Sequence, residues 1–392
     1  MHLLVTLGLW IVGAPAVLAC LYLFVLTLLS AKAPLPPSAT REMRFDLIVP
    51  AHNEEAVIAN VVRSLRGVDW PADRFKVVVV ADNCTDSTAA VARATGAHVL
   101  ERFDGDKRGK GYALQFAFEA SRREEWADAV AVVDADALVS PNFVAAIACR
   151  MQRGAQAVQV HYGVSNTGVS WRTRLLSIAK AAFHIVRSRA RERLKVSCGL
   201  RGNGWSVTHA LLEKVPYSAF SLTEDLEYGI TLGMHGYRVA YADEAHADAE
   251  MVSGEKESRK QRQRWEGGRF ALIRSRTLPL LVLAVRARSL ICLDLALDLL
   301  VLPLSYVALN VVALLVLALL VGGPAGGAWA WLALGCIAVL VLHILRGWQL
   351  SGSGLQGLLD LARAPGFLLW KIVVMLRGGD SKEWVRTKRE GS

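Results

Sequence analysis

Charge is missing over unusually long stretches of this sequence. Residues 3–29 contain no Asp, Glu, Lys or Arg, and a run of that length is enough to cross a bilayer as a helix. Two further uncharged apolar runs cover 299–321 and 329–345, and "GGPAGG" at 322–327 reads as the tight turn between them. No basic residue precedes the first run, and it exceeds the 7–15 residues of a signal core. The reading is therefore a retained anchor, although Ala31-Lys32-Ala33 resembles a cleavage site. Cysteine is scarce as well. The six thiols, Cys20, Cys84, Cys149, Cys198, Cys292 and Cys336, show no paired metal-ligand spacing. This argues against a disulfide framework or a zinc site and fits a reducing compartment. Internal repeats and low-complexity tracts are absent.

What is present is apolar and basic. Hydrophobic residues make up 53% of the 392, and 45 Lys+Arg against 35 Asp+Glu give a net charge of +10. The positive charge gathers at 172–195, 256–276, Arg286, Arg288 and 382–389, beside the apolar runs. Such a bias marks the cytoplasmic side. An outside N-terminus and three spans then place the middle region and the C-terminus inside, at the cell (inner or plasma) membrane. Nucleic acid is not an expected partner, because the charge follows the spans and no recognition motif appears. The short apolar stretch 366–376 is too short to span and is expected to lie in the interface. The expected division is 1–30 anchor, 31–43 proline-rich linker, 44–276 globular domain, 277–346 interfacial segment and two spans, and 347–392 interfacial helix with a basic tail.

Within 44–276 the pattern is α/β. "FDLIVP" (45–50), "FKVVVVAD" (75–82), "AHVLE" (97–101) and "AVAVVDAD" (129–136) read as strands, the continuous apolar ones buried on both faces. Helical spacing at 54–65 and 141–152, the latter with Pro141 in its first position, implies a mostly parallel sheet covered by helices. Ligands of such sheets bind beyond the carboxyl ends of the strands.

Those ends are polar. The first carries Pro50, Ala51, Asn53 and Glu54, and the second Asp82 and Asp86. Asn and Asp serve equally as helix N-caps, so a structural role stands beside a binding one. In "DGDKRGKGYAL" (104–114), glycines permit close backbone approach, and Lys107, Arg108 and Lys110 offer charge for phosphates; a solvated basic loop is the alternative. Asp134-Ala135-Asp136 places two carboxylates at the fourth strand end, where Mg2+ or Mn2+ bridging to diphosphate oxygens is the natural partner. "SLTEDLEYG" (221–229) carries Thr223, Glu224 and Asp225, and Thr223 suits a helix N-cap. "CGLRGNGWSV" (198–207) could shape an acceptor pocket with Trp205, or be a turn before a helix. "QRQRW" (261–265) could line a site or lie as a basic helix on the membrane.

In order, "PAHNEE", "ADNCTD", "DAD", "TED" and Gln261-x-x-Arg264-Trp265 resemble the membrane-embedded family-2 glycosyltransferases, the group of cellulose, chitin and hyaluronan synthases and ceramide glucosyltransferases. The resemblance covers about 44–276. It implies a GT-A fold with flanking transmembrane helices, a nucleotide-sugar donor, a divalent cation and inversion at the anomeric carbon. It further implies that Asp82 contacts the uridine part, Asp134 the donor sugar nucleotide and Asp136 the metal, with Asp225 as catalytic base. Glu224, Gln261, Arg264 and Trp265 would meet acceptor and diphosphate. Implied partners are a lipid or glycan acceptor, membrane lipids and other subunits of a glycan-assembly pathway. Three spans offer few walls for a polysaccharide channel, so single transfer is expected over processive synthesis. A non-catalytic nucleotide-binding receptor is the alternative of another class.

Overall fold

The computed structural model describes residues 2–251, 255–363 and 366, with the backbone alone over 2–6 and 255–264. The expected interfacial helix at 366–376 and the basic tail therefore lie almost wholly outside the described residues. The strands predicted from apolar runs form: β1 (Phe45–Ala51), β2 (Phe75–Asp82) and β3 (His98–Arg102). The fourth is shorter than predicted. β4 (Ala129–Val132) ends before the Asp134–Asp136 carboxylates, which occupy a turn leading to β5 (Ala137–Val139). These four longer strands pair in parallel in the order β3-β2-β1-β4. One face is covered by α2 (Ile58–Arg66), α3 (Thr88–Ala94) and α5 (Phe143–Met151), and the other by α4 (Lys110–Glu124). Residues alternate between the two faces, so Leu47 and Val49 join one core and Ile48 the other. Pro141 does not open α5; Asn142 is its N-cap.

The sheet is mixed, with four of its seven pairings parallel. Beyond β4 its order continues β7-β6-β8-β5, where β6 is Ala157–Val164, β7 Trp205–Thr208 and β8 Val239–Ala249. β7 pairs antiparallel with both β4 and β6, while β6 and β8 are parallel. The helices between β6 and β7 cause this. α6 (Trp171–Lys180), a π-turn at Ala181–Val186 and α7 (Arg187–Arg193) pack against the apolar helices instead of crossing back over the sheet. Two further helices, α8 (His209–Lys214) and α9 (Glu224–Met234), complete the second core.

Outside the sheet, α10 (Glu255–Arg286) runs unbroken past residue 276 and folds back on α11 (Leu290–Leu300). α12 (Leu304–Val321) and α13 (Gly323–Leu350) pack with α1 (His2–Leu28) in a separate apolar cluster. All three are long and apolar enough to cross a membrane. The turn between the last two is tighter than "GGPAGG" suggests. Gly322 and Gly323 take positive φ, and Pro324 already lies in the first turn of α13. A further helix, α14 (Gly354–Asp360), follows a glycine turn at Gly352 and Gly354.

Part of the basic segment 172–195 does not face the solvent or lipid that its charge suggests. Arg187 and Arg191 of α7 are buried against Asp298 of α11, at 3.0 and 2.7 Å. Arg191 also reaches Asp294 at 3.1 Å, Arg201 reaches Asp298 at 3.7 Å, and Arg269 of α10 donates to the Asp298 carbonyl. Burial acts against ionisation of Asp298, but the surrounding guanidiniums outweigh it and hold the carboxyl well below its usual range. Tyr22 of α1 joins the network through Asp294 at 2.8 Å and Arg191 at 2.6 Å. This cluster is the electrostatic joint between the globular domain and the apolar helices.

Candidate active site

The polar residues at the carboxyl ends of β1 and β2 first knit the two loops together. Asn53, at φ 56°, accepts the Thr85 N–H at 2.7 Å, and the Glu54 N–H donates to Thr88 Oγ1 at 2.8 Å. Asp86 accepts from the Thr88 N–H at 2.9 Å, but the N-cap position of α3 belongs to Ser87, which makes no side-chain cap bond, so Asp86 is not the helix cap. Asp82 is buried and paired with Arg102 at 2.6 Å, with the Asn83 amide on the same oxygen at 3.1 Å. Pro50 and Ala51 lie beside Val80 and Ala81 of β2, and their backbone forms the floor of this end.

Lys110 organises the rest. It is the first residue of α4, and its ammonium turns inward, 2.7 Å from Asp134 Oδ1 and 3.2 Å from Glu224 Oε1. It also donates to the Gly202 carbonyl at 2.8 Å. Burial works against its charge, yet Asp134 and Glu224 outweigh that and raise its pKa above the ordinary lysine value. Lys107 and Arg108, by contrast, stay exposed on the preceding loop. Gly202 stands in left-handed backbone at φ 93°, and a Cβ there would lie 3.6 Å from Asp225 Oδ2. Asp225 thus faces Gly202 while its neighbour Glu224 faces Lys110, the divergence expected of adjacent residues in a helical turn. Burial, then the charge of Glu224, push the Asp225 carboxyl up to about 7, with Lys110 opposing them.

Thr223 sits at the N-cap position of α9 but makes no capping bond. Its side chain packs instead against Gly268 of α10, where a Cβ would come within 2.6 Å of Thr223 Cγ2. That contact, with Arg276 3.6 Å from Glu227, seats α10 on the Thr223–Asp225 turn. Trp265 lies one helical turn before Gly268 and is 41% exposed. The side chains of Gln261 and Arg264 lie outside the described residues. The fold thereby brings together Lys110, Asp134, Glu224 and Asp225, and seats Gly268 of α10 on the adjoining Thr223.

The profile of the family described as "Glycosyltransferase like family 2" matches residues 43–268, which contain all of these groups. The chain belongs to that family. Over 233 residues it is 31% identical to a beta-monoglucosyldiacylglycerol synthase of Synechocystis sp., covering 57% of this chain and 47% of that protein. It is 26% identical over 243 residues to a probable glucomannan 4-beta-mannosyltransferase of Oryza sativa, covering 58% and 43%. The chain spans about half the length of the curated relatives it matches. A mannosyltransferase from Pyrobaculum calidifontis, solved with GDP-Man and Mn2+, shares the fold across 91% of this chain and 97% of its own, with a TM-score of 0.54 and 18% identity. The GT-A fold and its flanking apolar helices are thus those the motifs implied.

Metal binding can be weighed from the donors. Among the described residues no three His, Cys, Asp or Glu side chains converge as a metal cage. Asp134 is engaged by Lys110, and Asp136, at the other end of the same turn, places its charge near Lys180. Mg2+ characteristically takes one or two carboxylates and completes its shell with substrate phosphates and water. The donor set fits a cation arriving with a diphosphate.

The glycine loop before β7 contributes more than its sequence disclosed. It leads into a strand rather than a helix, and Trp205 is fully buried in the core, so its indole shapes no pocket. The working groups are the Gly202 carbonyl and Asn203, whose Oδ1 accepts the Asp134 N–H at 3.0 Å. Gln159 of β6 holds that loop, donating to the Asn203 carbonyl at 2.7 Å and accepting the Arg201 N–H at 2.8 Å. Three glycines within residues 199–204 were the available signal for a constrained loop.

Proposed function

We propose that this chain is an inverting glycosyltransferase moving a sugar from a nucleotide-diphosphate donor, a UDP-sugar, to a membrane-held lipid or glycan acceptor. The observation that carries the reading is the meeting of Lys110, Asp134, Glu224 and Asp225 at the carboxyl ends of the strands, with α10 seated on the same turn. Asp82 and the loops after β1 and β2 receive the nucleoside, and Asp134 with Lys110 holds the donor. Asp136 would carry Mg2+ or Mn2+, which supplies positive charge to the diphosphate. Arg264 adds charge for the leaving group, and Trp265 and Gln261 line the acceptor side.

Asp225 takes the proton of the acceptor hydroxyl as that oxygen attacks the anomeric carbon. A pKa near 7 suits a base at neutral pH, since efficiency is greatest when the pKa lies near the working pH. Three helices able to span favour a single transfer at the membrane over extrusion of a polymer. The globular domain faces the cytoplasm in this reading, where nucleotide sugars are made.

The test is purified full-length protein in lipid nanodiscs, incubated with a panel of nucleotide sugars and membrane lipids, with products identified by mass spectrometry. Asp225→Asn should bind donor normally and lose transfer by about 10²–10⁴-fold. Transfer near the parent rate would place the base elsewhere, and donor binding with no transfer to any lipid or glycan would favour a receptor.

A further inference from the structure

A cavity of about 150 Å³ lies between the end of β6, the end of α6, β8 and the last residues of α13. Its walls come from two units. Tyr162, Gly163 and Asp248 belong to the catalytic sheet, while Leu350 and Ser351 mark the end of α13. α13 is held there by close packing, for a Cβ on its Gly347 would come within 2.8 Å of Ala182 Cβ. The cavity therefore opens where a spanning helix would leave the bilayer. It has room for several water molecules, hence for a group the size of glycerol or one sugar ring.

It also adjoins the proposed base. The same Cβ on Gly202 that would lie 3.6 Å from Asp225 Oδ2 would lie 3.9 Å from Tyr162 Cε1. Asp225 and a wall of the cavity thus flank one glycine. Lys180, last residue of α6 and placed just before the π-turn, lies over the Tyr162 ring at 3.1 Å from its centroid and donates to the Gly163 carbonyl at 3.1 Å. Asp248 sits on the other side of Gly163, where any Cβ would meet its Oδ1 at 2.0 Å. π-turns inside helices occur often at functional sites.

We infer that this cavity is the acceptor site, and that it takes the neutral, hydroxyl-bearing headgroup of a membrane lipid. The Lys180 amine, which burial brings down to about 7, and Asp248, paired with His246 at 2.7 Å, face one small space and suit hydroxyls, which donate and accept at once. Asp248 offsets the charge of Lys180, so the cavity lacks the surplus positive charge that would hold a phosphate. Lys180 and Asp248 hold the headgroup, Leu350 borders the apolar chains, and one hydroxyl reaches past Tyr162 toward Asp225. In the transfer, the bond from that oxygen to the anomeric carbon forms as the bond from the anomeric carbon to the diphosphate oxygen breaks. The electron pair leaves on the diphosphate and the hydroxyl proton passes to Asp225. The inference rests on the glycosyl-transfer reading above.

The experiment uses full-length protein in phosphatidylcholine nanodiscs with three probes: diacylglycerol carrying a photoreactive group near its glycerol, phosphatidic acid carrying the same group, and free glycerol as competitor. Labelling needs no turnover, so it separates this site from the reaction. Diacylglycerol should label peptides around Tyr162 and Leu350, more strongly than phosphatidic acid. Lys180→Gln, Asp248→Asn and Leu350→Trp should each cut labelling at least fivefold. In transfer assays the first two should raise the acceptor KM about tenfold with the donor KM unmoved. Labels mapping elsewhere, phosphatidic acid labelling better, free glycerol competing as well as diacylglycerol, or a donor KM rising in step would overturn the assignment. Labelling at the site without sugar transfer by the parent protein would overturn the glycosyltransferase reading instead.

Discussion

Replacing Lys110 by Met isolates the electrostatics of the proposed base. The ammonium touches Asp134 and Glu224 directly and acts on Asp225 from farther away. Two unit charges about 4 Å apart, at an effective dielectric constant of about 20, attract by about 4 kcal/mol. Half of that, about 2 kcal/mol, is a fair measure for the more distant Asp225 and corresponds to about 1.5 pH units. The sign follows from the charge. Removing a neighbouring cation makes the carboxylate harder to form, so the pKa rises from about 7. The base form then appears only at higher pH. At pH 7 turnover should fall more than tenfold, recover as pH rises, and show an acid limb displaced by about 1.5 units. Lys110→Arg keeps the charge and should keep the limb near 7. The assay is kcat against pH at saturating donor and acceptor. If Lys110→Met lowers turnover equally at every pH and leaves the limb in place, Lys110 serves the donor alone and does not tune Asp225.

Asp136→Asn should weaken Mn2+ activation of transfer, because a neutral amide is a poorer ligand for a hard cation; full turnover in excess chelator would remove the metal from the reading. Asp298→Ala leaves Arg187, Arg191 and Arg201 without their shared carboxylate. It should cost about 3–5 kcal/mol in denaturation measured in detergent, and a loss below about 1 kcal/mol would mean that water satisfies the cluster. Trp265→Ala should reduce transfer with the protein still folded and membrane-bound, whereas Lys256→Ala should be nearly silent; equal losses would make this stretch a membrane-binding face. A reporter fused after Ser392 should register cytoplasmic and one inserted at Gly326 outside, and the reverse would undo the proposed orientation.

The sequence by itself determined the elements whose signal is local. Continuous Val and Ile runs are driven inside whatever surrounds them, so β1 and β2 lie where the runs lie. Uncharged runs long enough to span become α1, α12 and α13 for the same reason. Motif order was sufficient for the family, because five short patterns in sequence are far more specific than any one. Side-chain partnerships were not legible, since they join residues far apart in the chain. Nothing around Lys110 shows that it, rather than Lys107 or Arg108, turns inward; that depends on where Asp134, Glu224 and the Gly202 carbonyl are brought. Nothing in 172–195 shows that Arg187 and Arg191 are buried, because their carboxylates lie more than a hundred residues away, on α11. Thr223 reads as a helix cap until α10 folds over it and Gly268 occupies its side. Trp205 reads as a pocket wall until β7 inserts between β4 and β6 and buries it. Local hydrophobic pattern settles which segments are strands and spans, whereas the balance of buried charge is settled only when distant segments meet, because a charge can enter the interior only beside its partner.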